Sequence, residues 1–343
     1  MLSTISRAAS ACSACIITLT LVACGGNGAA SAPAAGLVPA ARPAACSVGP
    51  QRTIETGIRG PRSLKFDASG DLFVANFNDH TVTVYPPGED KPSRTLTSGV
   101  NGPTVLAFGH AGALYVANRG REEVTIYPPG ADRPNREIFT GIGGPEGLAF
   151  DASHHLYVAY FDLNDVTVYA PGGTSPIRTI NHGMDKPFGL AFDSEGDLYV
   201  ADLGSNAIKE YAPGADRAKR TITQFVKQPS AIVLDPAGNL YVANMNDDSV
   251  TVYAPGEEAP SRELFRGVSR PTSLALDGSG NLYVGNAGSA SVTVYPPKAN
   301  RPAATLCPEA AHPSSIAFDS HGSVYVANAF GRRVGVFPAF ATK

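Results

Sequence analysis

The sequence contains no tryptophan, only three methionines and few charged residues, which make up 17% of its 343 positions. Its formal net charge is −3, so nucleic acid is not expected as a partner, because phosphate binding needs a basic surface. Beyond the N-terminal segment, no stretch has a sustained helical period of apolar residues, which argues against a helical architecture. No serine stands on a strand-to-helix elbow, and the two cysteines beyond position 24 are too few and too peripheral to suggest a nucleophile.

What the sequence does contain is a strict internal repeat. An aromatic residue that usually follows a leucine recurs with a step of 42 residues: Phe73, Tyr115, Tyr157, Tyr199, Tyr241, Tyr283 and Tyr325. A second aromatic ladder runs from Tyr85 to Phe337, and a proline ladder from Pro61 to Pro313, with the same step. A period near 40 residues is typical of a repeat architecture.

Each repeat has the pattern of a strand-rich unit. Short runs of Val, Tyr, Thr and Leu with period two are separated by Gly, Pro, Asn and Asp. Four strands in 42 residues are typical of one blade of a β-propeller. We therefore predict an all-β, seven-bladed propeller, with blades 1 to 7 counted from the first innermost strand, SLKFD at 63–67. The N-terminal run 52–57 would complete the last blade and close the ring.

The N-terminus is predicted to be a processing segment. Residues 1–23 combine one arginine, Arg7, with an apolar stretch that is too short for an ordinary transmembrane helix. Its end, LVAC at 21–24, resembles the lipobox of bacterial lipoproteins. That resemblance implies a lipid on Cys24, a membrane anchor in the bacterial cell envelope and, because Gly25 follows, sorting to the outer membrane. The alternative is an ordinary cleaved signal.

The segment between this signal and the repeats has almost no charge. Residues 25–45 consist mainly of Ala, Gly and Pro and cannot form a core. We expect 24–46 to be the lipidated cysteine with a flexible tether, and 47–343 to be the propeller, acting as a monomer.

Cys46 and Cys307 are the cysteines that remain in this scheme. Cys307 falls in the predicted outermost strand of blade 6, and Cys46 just precedes the predicted outermost strand of blade 7. Because these edges are neighbours and exported proteins favour disulfides, the pair would staple the ring closure. Two free thiols are the alternative.

The units resemble NHL repeats and the related YVTN-type propeller repeats. The resemblance rests on the frame GPxxLAFDxxGxLYVANxxxxxVTVY, as at 144–169, 186–211 and 228–253, and it covers 52–338. It implies a propeller, while relatives range from lyases, lactonases and metal-dependent hydrolases to sensor and protein-binding domains. The Trp-Asp signature of another propeller group is absent.

Residues found in every unit are predicted to be structural, so departures from the repeat are the candidate site residues. The ladder aromatics should pack between blades, and the asparagine that ends most second strands should bond the turn that follows. Tyr160 and Asp202 replace this asparagine in blades 3 and 4. The position after each ladder proline varies most, and it reads Arg62, Thr104, Glu146, Phe188, Ser230, Thr272 and Ser314.

These departures are expected on one face, at the mouth of the central channel. The candidate ligand-binding residues there are Arg62, Glu146, Tyr160, Asp162, Asp165, Phe188 and Asp202. They predict a face that is acidic on blades 3 to 5 and basic on blades 7, 1 and 2. Carboxylates beside aromatics would suit Ca²⁺ or another divalent cation, a cationic peptide or a sugar; a solvated rim is the alternative.

Two functions follow from this pattern, and a purely structural envelope component is a third alternative. The first is a binding module for an envelope protein, peptide or glycan. The alternative, implied by the lactonase relatives, is a divalent-metal hydrolase or lyase with Glu146 and Asp202 as ligands. The seven histidines show no zinc-triad spacing. Three further departures are Lys65 on the predicted channel wall and the pair Lys209 and Glu210, for which an exposed strand edge is expected.

Overall fold

A computed structural model describes residues 46–139, 143–308 and 312–340. The predicted signal 1–23, the lipidation site Cys24 and most of the tether lie outside the described residues. Within the described part, no helix is long and apolar enough to cross a membrane.

The described chain forms seven four-stranded antiparallel sheets, which confirms the predicted seven-bladed propeller. The strands are numbered in chain order. The innermost strands are β2 (Pro61–Phe66), β6 (Pro103–Phe108), β10 (Pro145–Phe150), β14 (Pro187–Phe192), β18 (Pro229–Leu234), β22 (Pro271–Leu276) and β26 (Pro313–Phe318). The second strands are β3 (Leu72–Asn76), β7 (Leu114–Asn118), β11 (Leu156–Tyr160), β15 (Leu198–Asp202), β19 (Leu240–Asn244), β23 (Leu282–Asn286) and β27 (Val324–Asn328).

The outer half of each blade completes the sheet. The third strands are β4 (Thr81–Tyr85), β8 (Glu123–Tyr127), β12 (Asp165–Tyr169), β16 (Ala207–Tyr211), β20 (Ser249–Tyr253), β24 (Ser291–Tyr295) and β28 (Val334–Phe337). The outermost strands are β5 (Arg94–Leu96), β9 (Arg136–Phe139), β13 (Pro176–Ile180), β17 (Arg220–Ile222), β21 (Arg262–Leu264), β25 (Ala304–Leu306) and β1 (Arg52–Ile54). A 3₁₀ turn, His110–Gly112, joins the first two strands of blade 2.

The N-terminal strand closes the ring as predicted. In blade 7 the strand order is β1-β28-β27-β26, and Thr53 pairs with Gly335 in antiparallel register. The closure therefore joins the two ends of the propeller within one sheet.

The core lies between the blades. Each cluster of buried side chains combines two neighbouring sheets, as where Phe73 and Val84 of blade 1 pack with Leu106 and Tyr127 of blade 2. At five of the seven junctions a second-strand aromatic meets the inner-strand phenylalanine of the next blade edge-on, with ring centroids 5.1 Å apart for Phe73 and Phe108. The predicted packing of the aromatic ladders between blades is therefore confirmed.

Two ladders of polar bonds also cross from blade to blade. Third-strand tyrosines donate from their hydroxyl to a carbonyl in the preceding loop, as in Tyr85 to Thr56 at 2.6 Å. Outermost-strand arginines donate to a turn carbonyl of the next blade, as in Arg94 to Gly130 at 2.7 Å. This arginine ladder, which the sequence analysis missed, comprises Arg52, Arg94, Arg136, Arg178, Arg220 and Arg262. Its equivalent in blade 6 is Ala304.

The asparagine ladder holds a different loop from the one expected. In Asn76, Asn118, Asn244 and Asn286, the side-chain oxygen accepts a backbone N–H from the loop entering the same blade, at 2.9–3.1 Å. The amide group donates to a third-strand threonine, as in Asn76 to Thr83 at 3.0 Å. The prediction that these asparagines bond the turn after the second strand is therefore wrong, because the side-chain oxygen bonds the loop before the innermost strand instead.

Cys46 and Cys307 are joined by a disulfide, the first of the two alternatives, with Cα atoms 5.8 Å apart. The adjacent backbone is also paired, since the Val48 carbonyl accepts the Cys307 N–H at 3.0 Å. The segment that precedes β1 is thus fixed to blade 6, and β1 itself completes blade 7.

Replacing Cys46 and Cys307 by serine should lower the free energy of unfolding by about 2–5 kcal/mol, because the bond closes a loop that spans nearly the whole propeller. Thermal melts of the wild type and the double variant measure the loss. A thiol reductant should lower the wild-type midpoint and leave the double variant unchanged; equal melts without reductant would contradict the prediction.

Candidate functional site

The loops that enter the innermost strands and the loops that join second to third strands lie together on one face, here called the mouth face. The Phe77 N–H, after β3, donates to the Gly60 carbonyl, before β2, at 3.1 Å. Neighbouring blades are joined there too, because the Lys186 N–H donates to the Asn164 side chain at 2.8 Å. The mouth face is therefore a connected surface that surrounds the channel.

The variable position after each ladder proline has a structural use in four blades. There a serine or threonine hydroxyl donates to the ladder-proline carbonyl of the next blade at 2.7–2.8 Å: Thr104, Ser230, Thr272 and Ser314. These bonds link neighbouring innermost strands around the ring. The scaffold therefore explains the hydroxyl residue in these four blades.

The other three blades lack this hydroxyl and carry Arg62, Glu146 and Phe188. Arg62 is exposed, with its guanidinium carbon 5.0 Å from the centre of the Phe77 ring. Phe188 is half-buried. Arg62, Glu146 and Phe188 are therefore the three residues at this position that take no part in the ring of inter-blade hydrogen bonds.

Glu146 forms a charge pair across two blades. Its carboxylate lies 2.5 Å from an Arg119 guanidinium nitrogen, and its side chain is 9% exposed. Burial raises the pKa of Glu146, and the guanidinium groups of Arg119 and Arg62 oppose that rise. Arg62 of blade 1 is therefore close enough to Glu146 of blade 3 for their charges to interact.

An apolar strip follows the second strands around part of the mouth. Phe161, Leu203 and Met245, the first residues after the strands of blades 3 to 5, are half-buried. The Phe161 ring also lies under two cations, the Arg119 guanidinium and the Lys186 ammonium, each 5.9 Å from its centre. Aromatic and aliphatic surface beside charge is typical of recognition sites.

Two predicted ligand-binding residues do not reach this surface. Tyr160 is completely buried, and its hydroxyl lies 3.1 Å from that of Tyr169. Asp202 is also completely buried and accepts the Asp185 N–H at 2.8 Å and the Ser205 hydroxyl at 2.7 Å. Both take the place of the ladder asparagine inside the blade, so neither can contact a ligand at the mouth without a rearrangement.

Asp202 is paired with Lys209, which lies in the position of the third-strand threonine. The ammonium nitrogen is 2.5 Å from the carboxylate, and both side chains are buried. Blade 4 therefore replaces the Asn–Thr bond of blade 1 with an ion pair at the same two positions. The signal for this pairing was present in the sequence, as two simultaneous departures seven residues apart.

Glu210 is buried as well, so the exposed edge expected for it and Lys209 is wrong. Its carboxylate accepts from the Arg220 side chain at 2.6 Å and lies 2.8 Å from the Lys219 ammonium. Lys219 also pairs with Asp197, and these partners raise the pKa of Lys219. Burying one charge is costly, and this cluster offsets that cost with opposite charges.

The remaining predicted acids stay near the mouth face. Asp162 is 53% exposed, and its carboxylate lies 3.9 Å from Arg119. Asp165 is half-buried and accepts the Thr167 hydroxyl at 3.2 Å, and burial raises its pKa. Because Glu146 and Asp202 are already paired with cations, the acidic half is weaker than the sequence predicted.

The described residues contain no group of three or more His, Cys, Asp or Glu side chains arranged to hold a metal ion. The oxygens of Asp202 already accept an N–H, a hydroxyl and an ammonium. A divalent ion on Glu146 and Asp202 would have to displace Lys209, so the geometry gives this predicted metal site no support. The role of Ca²⁺ stays a prediction.

No protein-family model matches the chain, and no curated protein matches its sequence. Among solved structures it is similar to a streptogramin B lyase, with a TM-score of 0.68 and 12% sequence identity, over 83% of this chain and 96% of that one. At this identity the likeness concerns the fold alone. A seven-bladed propeller fits the resemblance to NHL and YVTN-type repeats, and function must be argued from the departures.

The Asp202–Lys209 pair gives a test of how blade 4 is built. Asp202→Asn should cost about 3–5 kcal/mol of unfolding free energy, because it leaves the Lys209 ammonium buried without its carboxylate. The double variant Asp202→Asn with Lys209→Thr should recover most of that loss, because it restores the Asn–Thr bond of the other blades.

Denaturant unfolding of the wild type, both single variants and the double variant measures the coupling. Asn244→Asp, which adds a buried carboxylate opposite Thr251 in blade 5, is the matched control and should destabilise. A double variant no more stable than the single ones would refute the pairing argument.

Proposed function

We propose that the protein is a binding module of the bacterial cell envelope, anchored through a lipid on Cys24, whose mouth face holds a protein, peptide or glycan. The observation behind this proposal is that the residues after the ladder prolines fall into two groups. Four blades use a hydroxyl there to build the ring, while Arg62, Glu146 and Phe188 are not needed for it. Side chains that the scaffold does not require are candidates for recognition.

The neighbourhood of these residues suits binding better than catalysis. Phe161, Leu203 and Met245 add half-buried apolar surface, and Arg119 and Lys186 add cations above it. An enzyme needs acids, bases or ligands that converge on one point. In the described part of the chain, the acids near the mouth are instead paired with cations or hydrogen-bonded to the scaffold. A broad mixed surface of this kind resembles an interface with a polar rim.

Phe188→Ser should weaken capture of the partner about tenfold or more, because truncation of a large aromatic at an interface commonly costs over 1 kcal/mol. The assay uses the full chain as bait against envelope extract and against a panel of envelope glycans, with bound material quantified. Ile177→Ser is the control, because it removes an apolar side chain that is 57% exposed on the outermost strand β13, outside the mouth face, so it should leave capture unchanged. Equal capture by the wild type and Phe188→Ser would sink the proposal for this face.

The anchor has its own test. Cys24→Ser should abolish incorporation of labelled palmitate and move the protein from the membrane fraction to the soluble fraction, because acyl chains supply the membrane affinity. Cys46→Ser is the matched control, since it removes a different thiol and should leave labelling intact. Labelled Cys24→Ser protein would rule out this residue as the lipidation site.

A further inference from the structure

Three basic residues of blades 6, 7 and 1 flank ladder prolines at the mouth. Arg270 and His312 precede Pro271 and Pro313, and Arg62 follows Pro61. Two hydroxyl bonds of 2.7 Å fix the strands that position them: Thr272 to the Pro313 carbonyl, and Ser314 to the Pro61 carbonyl. The same inter-blade bonds that build the ring therefore bring these side chains to one side of the channel.

The charges of this group act on one another. Burial lowers the pKa of His312, and the guanidinium groups of Arg62 and Arg270 lower it further, with no carboxylate among the causes. Other arginines of the same face are paired, Arg59 with Asp79 and Arg333 with Glu55. Among the described residues, neither Arg62 nor Arg270 forms such an ion pair. Two carboxylates lie near these arginines. That of Glu146 interacts with Arg62 and is already bonded to Arg119, and that of Asp248 accepts the Arg270 backbone N–H at 2.6 Å.

The imidazole of His312 also has an unused polar atom. Its Nδ1 is buried and has no hydrogen-bond partner among the described residues. A buried polar atom without a partner is costly and is uncommon in a finished scaffold. This atom has no accessible surface, so a ligand atom would reach it and supply the missing bond only after a local rearrangement.

The channel wall near these residues carries a fourth cation. Lys65, on the same strand as Arg62, is accessible to solvent, yet the surrounding protein desolvates it and lowers its pKa. This combination is expected of a side chain inside the central channel. The equivalent residues of the other blades are small: Ala107, Ala149, Ala191, Val233, Ala275 and Ala317. A lone ammonium on an apolar wall favours an anion beside it.

Flat apolar surface borders the basic group on both sides. Phe330 is 77% exposed, and its ring meets that of His312 edge-on, with centroids 4.8 Å apart. Phe77 lies under the Arg62 guanidinium. A ligand that places an anionic group between the cations could therefore lay an apolar ring or chain on Phe330.

We propose that Arg62, Arg270 and His312 form a binding site for an oxyanion, a carboxylate or a phosphate, carried by a ligand whose apolar part packs on Phe330. This site rests on the proposed function, since it specifies the chemistry that the mouth face recognises. It replaces the cationic ligand expected from the sequence, because the carboxylates counted toward it are bonded to the protein itself.

Calorimetric titration of the purified full chain at low salt tests the site with phenyl phosphate, benzoate and inorganic phosphate. Phenyl phosphate or benzoate should bind, and the probe with the lower dissociation constant shows whether the site prefers phosphate or carboxylate. Inorganic phosphate should bind more weakly than phenyl phosphate, because it has no ring to pack on Phe330. Arg62→Gln and Arg270→Gln should each weaken binding about tenfold or more, because each removes a charged hydrogen-bond donor.

Arg133→Gln, on the turn between β8 and β9 away from the mouth, is the matched control and should bind as the wild type does. Arg62→Lys, which keeps the charge, should retain part of the affinity. Both glutamine variants change exposed side chains, and unchanged melting midpoints would verify their folding. No binding of any probe, or equal binding by the wild type and both glutamine variants, would overturn the site.

The capture assay separates this inference from the broader proposal. If Phe188→Ser loses the envelope partner while the arginine variants retain it and no probe binds, the mouth face is a binding surface and the oxyanion site is wrong. If the probes bind through Arg62 and Arg270 but Phe188→Ser captures as the wild type does, the oxyanion site stands and the extended surface around Phe188 is wrong.

Discussion

Everything in this structure depends on contact between neighbouring blades. A sheet of 42 residues has two apolar faces and no core of its own, so each blade is stable only when sheets on both sides cover it. Edge-on aromatic pairs such as Phe73 and Phe108 fill that space. Polar bonds from Tyr85 and Arg94 fix the register of one blade against the next. The mouth face inherits its geometry from these contacts, because its loops begin and end on strands that the neighbouring blades hold.

The fold could be predicted almost completely, because its signals are local and repeated. A strict step and a leftover N-terminal strand were enough to specify seven blades and their closure. The site could be predicted only in part, because its side chains act across strands and blades. Thr104 and Ser314 looked like unrelated members of a variable position until their bonds to the next blade showed one shared purpose. Asp202 and Lys209 looked like surface charges, because burial of a charge is unfavourable without a partner of opposite sign. That the two residues are partners becomes clear only from the pairing of their strands.

The departures from the repeat thus fall into two physical classes. Some come in compensating pairs that keep a blade intact, as Asp202 with Lys209 and Glu210 with Arg220. Others, such as Arg62 and Phe188, have no such compensation within the scaffold. Only residues of the second class are candidates for a functional role. The two classes can be told apart only from the three-dimensional structure. A fold shared with a lyase at 12% identity cannot replace it, since one propeller scaffold supports many chemistries.

The break in the arginine ladder has a consequence for how the ring closes. Blade 6 has Ala304 where the other outermost strands have arginine, so its junction with blade 7 lacks that bond. Beside this junction, within blade 7, β1 must pair with β28 of its own chain rather than with that of another copy, a choice that strand exchange exploits. The Cys46–Cys307 bond holds the segment before β1 at this junction, which raises the effective concentration of the correct strand above that of any competitor. In an oxidising compartment this bond therefore favours closure of the ring within one chain over exchange of β1 between two chains.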